Sequence, residues 1–548
     1  MNGQLIRVRS PLDACRGEST SAACRSVLDA MRNPFYIGDH PGLTQTSGWV
    51  DAWTSRPSVY AVAARSSDHV VAAVNFAREH DLRLVVRGGG HSYQGTSDAP
   101  DSLLVWTRRM HDVALHDAFV PEDCRGAVDA QHAVTVEAGA MWIDVYDAVT
   151  TKAGRYVQGG GCASVGVAGL VQSGGFGSFS KRFGTAAGGL LEAEIVTADG
   201  VARIANACRN PELFWAIKGG GGGSLGVVTR LTLRTHELPE YFGGAAVSIK
   251  ATSPASFRRL LASFLEFYRD SLLNPHWGEV VKIEPDDTLV VSMVSQGLDS
   301  SAAASVWKPF LDRVTASPDE YRLVEEPSFR SAAARRWWDV QYRREHAPGS
   351  MIADPRPGAP PTHSWWRGDG DQVGVFLHGF ASAWLPASLL AAPNVQRLAD
   401  SLFAASRHWE VQLHFNKGLA GAPGDALDRA RDTAMNPAVL DAFALAIIAA
   451  GGPPAFPGIV GHEPDLPTAR ENAAKVRSAI REIRRLLPRP GSYVSESNYF
   501  EADWQHSFWG SNYDRLLAAK RRYDPSELFF VHHGVGSEGW SEDGFTRS

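Results

Sequence analysis

Three stretches concentrate the glycines of this chain: RGGGHSYQG from Arg87 to Gly95, QGGGCASVGVAGLVQSGGFGSFSKRFG from Gln158 to Gly184, and KGGGGGSLG from Lys218 to Gly226. Glycine gives up more backbone freedom on folding than any other residue, so runs this dense need a reason. Apolar segments flank them (LRLVV before the first, LFWAI and VVTRLTL around the third), which marks them as turns between structured elements and not as linkers. Without a Cβ, consecutive amide N–H groups can converge on an anion. Three such walls in one region predict a cradle for a large, flat, phosphate-bearing ligand. The first stretch alone reads more readily as a flexible turn whose histidine stands in water.

The 548 residues exceed what one core supports, so at least two domains are expected. A net charge of -6 gives no electrostatic reason to expect nucleic acid or an anionic membrane as partner. No run approaches the ~18 apolar residues of a membrane span, and AFALAIIAA, Ala442 to Ala450, reads as a core segment closed by GGPP. The N-terminus shows no apolar h-region, which favours a cytoplasmic location. Five cysteines are too few for a disulfide framework, and an odd count leaves at least one unpaired. The pairing of Cys15, Cys24, Cys124 and Cys208 stays open.

Residues 1–53 form an irregular N-terminal segment. Strand, helix and strand follow: Val59 to Ala64, a helix capped by Ser66 or Ser67 with Val70, Val74 and Ala77 as its stripe, and Leu82 to Val86 ending in the glycine run. Ligands bind at such carboxyl ends of strands. EAEIVTADGVARIA is a hairpin turning at Asp199-Gly200. Residues 54–238 thus form one domain. Residues 239–490 alternate helices such as PASFRRLLASFLEFYRD with strands such as LVVSMVSQG, QVGVFLHGF and EVQLHFNKG, an antiparallel sheet covered by helices. Residues 491–548 are a tail with one helix followed by a short extended stretch. The fold class is α+β.

The glycine stretches do not match a dinucleotide fingerprint, because GGGHSYQG carries bulky residues and leads into TSDAPDSLLVW, which does not open a helix. Cys162 sits inside a glycine loop, where surrounding amides favour a thiolate. No CxxC or nearby histidine completes a metal set around it, and no metal is expected.

Together RGGGHSYQG, GGGCASVGVAG, LFWAIKGGGGGSLGVVT and the tail FWGSNYDRLLAAKRRYDPSELF resemble the FAD-linked oxidases of the vanillyl-alcohol oxidase (p-cresol methylhydroxylase, PCMH-type) superfamily, in the berberine bridge enzyme-like branch. The resemblance covers residues 54–238 and about 490–535. It implies a PCMH-type FAD-binding domain of two α/β subdomains, to which the tail 491–548 returns, and FAD held bicovalently, through His91 at the flavin 8α-methyl carbon and Cys162 at ring carbon 6. Two-point attachment holds the ring in an open site and tends to raise its potential. The backbone of Arg87, Gly88, Gly89, Gly90, His91 and Ser92 is then expected to carry the diphosphate. Gly160, Gly161, Gly166, Gly169 and Gly226, Val227, Val228 are expected to line the rest of the cofactor, with Asn512 reaching it from the tail. Val165 occupies the gate position that family oxidases fill with valine. Leu170 departs from a family histidine that supports the ribityl chain.

By the same resemblance a base on the substrate side takes a proton while hydride passes to flavin N5. Tyr499, in ESNYFEADW, is the first candidate; the alternative is a half-buried core tyrosine. A tyrosine base needs a lowered pKa, which a Lys or carboxylate neighbour supplies. Gln412, His414 and Asn416 share one face of a strand by period two, with Lys417 at its end. That face is expected to meet the substrate, although His414 taken alone reads more readily as a satisfied sheet histidine. His532 and His533 lack the spacing of a metal site. The substrate class is an alcohol, sugar or natural product, with molecular oxygen as acceptor and hydrogen peroxide as product. The alternatives are a dehydrogenase with another acceptor and a flavin-binding protein without turnover. Trp337-Trp338 and Trp365-Trp366 suggest an aromatic-lined cleft. Oligomeric state is not readable.

Overall fold

The computed structural model describes residues 4–541 and 544–546. The apolar run Leu84–Arg87 pairs in parallel with Leu103–Trp106, which pairs in parallel with Tyr60–Ala63. The helix Ser67–Glu79 makes the crossover and buries Val70, Ala73, Val74 and Ala77 at the expected 3.6-residue spacing. Leu5–Arg7 completes this four-stranded sheet as an antiparallel edge. The N-terminal segment is therefore not irregular. It also forms the helix Ala22–Ala30, and its Gly48–Trp49 joins the largest sheet, beside Phe376 and Leu377. Its elements are short, which hid them from periodicity.

A second, antiparallel sheet orders Ala202–Asn206, Leu190–Val196, Val227–Glu237, Gln131–Glu137 and Val113–Phe119. The hairpin at Asp199-Gly200 forms as read, with Val196 opposite Ala202. The third sheet has ten strands, with Ala442–Gly452 inside it between Val411–His414 and Phe376–Pro386. One face of this sheet is covered by the helices Pro254–Phe267, Ser300–Thr315, Ala392–Ser406 and Leu466–Arg484. Their Phe264, Trp307, Leu402 and Ile480 close on Val281, Leu413 and Phe443. Each such buried side chain contributes about 1.5–3 kcal/mol. The opposite face, with Phe380, Trp384, Leu445 and Ile447, packs against Phe176 of the second glycine stretch. One sheet therefore carries a core on one side and receives the glycine-rich domain on the other.

Lys181 fastens that junction. Its buried ammonium donates to the carbonyls of Gly418, Ala420 and Phe443 at 2.9, 2.8 and 3.3 Å, so all three N–H bonds are used. Burial lowers its pKa to about 7.

Four of the five cysteines pair, as Cys15–Cys24 and Cys124–Cys208, which settles the pairing that the sequence left open. Cys162 is the free thiol. Among the described residues no helix is long and apolar enough to cross a membrane.

Cys124–Cys208 closes a sequence separation of 84 against 9 for Cys15–Cys24, so it removes more freedom from the unfolded chain. Replacing both members of the longer bridge by serine is expected to cost about 2–5 kcal/mol. The same change in the shorter bridge costs less. Chemical denaturation of the two variants measures the difference.

Candidate functional site

The first glycine turn leaves Leu84–Arg87 and lands backbone-to-backbone on the second. A Cβ on Gly89 would stand 2.6 Å from the Gly166 nitrogen, and one on Gly166 would stand 2.8 Å from the Gly89 nitrogen. Each is glycine because the other's main chain occupies the side-chain space. The second loop is hung on its neighbours by main-chain bonds from Ile143 N to Ala163 O (3.0 Å), Trp142 N to Val165 O (3.1 Å) and Val167 N to Ala140 O (3.0 Å). Across the seam His91 Nε2 lies 3.1 Å from Ser164 Oγ. The turns bearing His91 and Cys162, far apart in sequence, thus share one seam.

His91 is exposed, yet protein surrounds it closely enough to depress its pKa to about 4, through burial first and the nearby Arg108 cation second. A side chain both reachable and enclosed lines a concave wall, and this one presents a neutral imidazole at neutral pH. Arg108, unremarkable in the sequence, is buried behind the seam and pairs with Asp39 at 2.9 Å. Arg87 does not face the cleft. Its guanidinium donates to the carbonyls of Leu43 and Pro41, so it anchors the N-terminal segment and leaves only backbone to the turn. Ser92 spends its hydroxyl on Thr96, at 2.8 Å.

Charged groups converge on the Cys162 side. Glu279 adopts φ 67° within the strand Trp277–Ile283, a left-handed conformation rare for a non-glycine residue. Its carboxylate accepts from Ser178 Oγ at 2.5 Å and from Asn416 Nδ2 at 3.5 Å. A Cβ on Gly161 would stand 3.8 Å from it. Burial raises the Glu279 pKa. Lys417 pairs with Glu496 of the tail at 2.5 Å. Trp366 Nε1 donates to Gly161 O at 3.2 Å, and the Arg343 guanidinium lies over the Trp366 ring, 5.1 Å from its centroid. Tyr93 donates to Gln372 at 2.9 Å. Burial raises the Cys162 thiol well above its usual value, with Asp369 adding to the effect, which reverses the expectation of a thiolate favoured by loop amides.

His414 and Gln412 share the sheet face that carries Leu445 and Ile447, their direct partners on the next strand. His414 Nε2 meets Gln412 Oε1 at 3.1 Å, and Gln412 Nε2 donates to Glu410 at 2.6 Å. With Nε2–H given to Gln412, His414 Nδ1 holds a lone pair; it is buried without a hydrogen-bond partner among the described residues. Burial, then the cations Lys417 and Lys282, hold the His414 pKa well below 6.5. His414 is therefore not the satisfied sheet histidine that the pattern also allowed. Asn416 departs from the period-two reading, because the strand ends at His414 and Asn416 lies buried in the 3₁₀ turn Phe415–Lys417.

Tyr499 is buried, with its ring stacked on His532 at 3.8 Å and near Trp49 at 6.0 Å. The tail is irregular there, so no period fixed which residue points inward, and Glu496 is the one that pairs with Lys417. His533 stacks on Trp504. Asn512 donates to Met435 O at 2.7 Å and Thr433 O at 3.4 Å, tying the tail to a neighbouring loop. Gly226, at φ 153°, lies tight under Val196, and the Val227 and Val228 side chains enter cores, not the cleft. Gly169 has open space where a Cβ would be. Val165 is half-buried. The space beside Gly160 and Gly175 is filled by Leu170, so this position is apolar.

Residues 58–206 match the FAD binding domain family, and residues 492–536 match the berberine and berberine-like family. The chain is 30% identical to the FAD-linked oxidoreductase malF of Malbranchea aurantiaca, over 95% of this chain and 85% of that protein. A VAO-type flavoprotein of Myceliophthora thermophila C1 superposes with TM-score 0.78 at 24% identity, covering 98% of this chain and 94% of the other. The glucooligosaccharide oxidase of Acremonium strictum, which carries 6-S-cysteinyl, 8α-N1-histidyl FAD, superposes with TM-score 0.65 at 17% identity, over 96% and 99% of the two chains.

Gly89→Ala is expected to force the two turns apart and to lower the flavin retained by the purified protein. Gly424→Ala, outside the glycine stretches and with no atom within 4 Å of the added Cβ, is expected to leave it near the parent level. Flavin absorbance per chain after gel filtration reads both.

Proposed function

This chain belongs to the FAD-linked oxidoreductases, and we propose that it is a member of the vanillyl-alcohol oxidase superfamily, berberine bridge enzyme-like branch, acting as an oxidase with bicovalent FAD that converts an alcohol, sugar or polycyclic natural product to its carbonyl product. The observation that carries this reading is the seam between the His91 and Cys162 turns. A neutral imidazole on one side and the free thiol on the other are the two nucleophiles that such attachment uses. Bound FAD supplies the two-electron acceptor that takes hydride, and oxygen removes the electrons as hydrogen peroxide.

His414 is the proposed base in place of Tyr499. Its Nδ1 lone pair faces no competing donor among the described residues, and the Gln412–Glu410 chain fixes its tautomer and steadies the imidazolium formed when a substrate hydroxyl gives up its proton. Lys417, Glu496 and Glu279 supply charged partners for substrate hydroxyl groups. Trp337 and Trp366, tilted 53° to each other and bridged by the Arg343 cation, give aromatic contacts for a sugar or ring system. Val165 stands at the position where oxygen is expected to approach. The two disulfides fit an oxidising compartment, which we propose over the cytoplasm.

His414→Gln is expected to lower kcat by about 10²–10⁴-fold with flavin content unchanged, whereas Tyr499→Phe lowers it far less. A neutral His414 works down to pH well below 6.5, so kcat stays level through neutral pH and falls only in acid. A tyrosine base would instead make kcat climb toward alkaline pH. In air each turnover is expected to yield one hydrogen peroxide. Val165→Leu is expected to slow reoxidation by oxygen while leaving flavin reduction by substrate intact, as stopped-flow measurement of the two half-reactions distinguishes.

A further inference from the structure

The 3₁₀ turn Arg367–Gln372 belongs to the substrate half of the chain, yet it is pinned to both attachment turns. Before it, Trp366 donates to the carbonyl of Gly161, the residue preceding Cys162. At its end, Gln372 accepts from Tyr93, two residues beyond His91. Asp369 lies between these pins, with its carboxyl against the Cys162 thiol. Its Oδ2 is buried and has no hydrogen-bond partner among the described residues. A buried carboxylate oxygen left unpaired is costly, and structures keep such groups mainly where chemistry uses them. The other carboxylate acting on the thiol, Glu279, is engaged by Ser178 and Asn416, and the neighbouring Lys417 is engaged by Glu496.

We propose that Asp369 is the proton acceptor that activates Cys162 for its bond to the flavin ring. This rests on the bicovalent reading above. The step forms a bond between Cys162 Sγ and ring carbon 6 and breaks the S–H bond and the C–H bond at that carbon. The thiol proton goes to Asp369 and the ring proton to solvent. The two electrons released by the C–H bond pass through the ring to molecular oxygen, giving hydrogen peroxide. A thiol whose ionisation is suppressed by burial needs such an acceptor at neutral pH.

Burial raises the Asp369 pKa to about 6, so the acceptor is available above that pH and lost as pH falls through it. The charged and titratable groups facing the pair are Glu279, Lys417, Glu496, Tyr93 and Tyr146; all are retained in Asp369→Asn. Full-length protein produced under flavin limitation is mixed with FAD at a series of pH values. Proteolysis and mass spectrometry then count flavin joined to the Cys162 peptide and, separately, to the His91 peptide. The expected result is a wild-type Cys162 rate that rises through about pH 6 and then levels. Asp369→Asn is expected to slow the Cys162 bond by roughly a hundredfold at pH 7, to lose that step and to recover only toward alkaline pH, with the His91 bond formed normally. Asp369→Glu keeps the step. Equal Cys162 rates in wild type and Asp369→Asn overturn the proposal and leave bicovalent attachment standing. Absence of any Cys162 bond in the wild type overturns both. Where Asp369→Asn takes up no flavin, a wild-type profile without the step near pH 6 overturns the proposal.

Discussion

The contact between Gly89 and Gly166 is the constraint on which the rest of the molecule depends. Two main chains approach so closely that neither position has room for a Cβ. The geometry of the proposed flavin wall follows from that contact. It sets His91 beside Ser164, leaves consecutive amides free of side chains, and brings the Cys162 loop within reach of the same cleft. A seam made of backbone is also rigid, since it has no side-chain rotamers to relax.

The substrate side is built differently. The ten-stranded sheet spends one face on a helix-covered core and offers the other to the glycine-rich domain. Polar groups occur where that second face meets the glycine loops, and they are held by bonds that cross the junction: Ser178 to Glu279, Lys181 to Gly418, Trp366 to Gly161 and Lys417 to Glu496. The left-handed backbone of Glu279 interrupts the strand's alternation at this boundary. Strain there is tolerated because the packed sheet and the Ser178 bond fix the residue from both sides.

The parts of the fold that periodicity governs were legible. The helix after Ser66, the strand ending in the first glycine run and the hairpin at Asp199-Gly200 all form where apolar spacing and turn chemistry place them. His91 and Cys162 are singled out because four motifs in order carry a family resemblance, not because either residue announces a role. Tyr499 and Asn512 were harder to place, since the tail is irregular and period-based reasoning has nothing to hold there. Arg87 looked like part of a phosphate turn, but its side chain points back to the carbonyls of Leu43 and Pro41. Asp369 and Glu279 had no local signal at all.

By itself the sequence determined that the backbone must come close to something at three glycine stretches, and that a histidine and a cysteine stand in two of them. Those are local properties, since a missing Cβ and a nucleophilic atom belong to single residues. Only the tertiary structure decided that the first two stretches meet each other, that His414 keeps a nitrogen without a partner among the described residues, and that Asp369 is carried to the thiol by a turn pinned from two sides. The physical reason is that burial and pairing are properties of the space between distant segments. A carboxylate's chemistry depends on which of its oxygens is left without a partner, and that is settled only when the sheet docks on the loops.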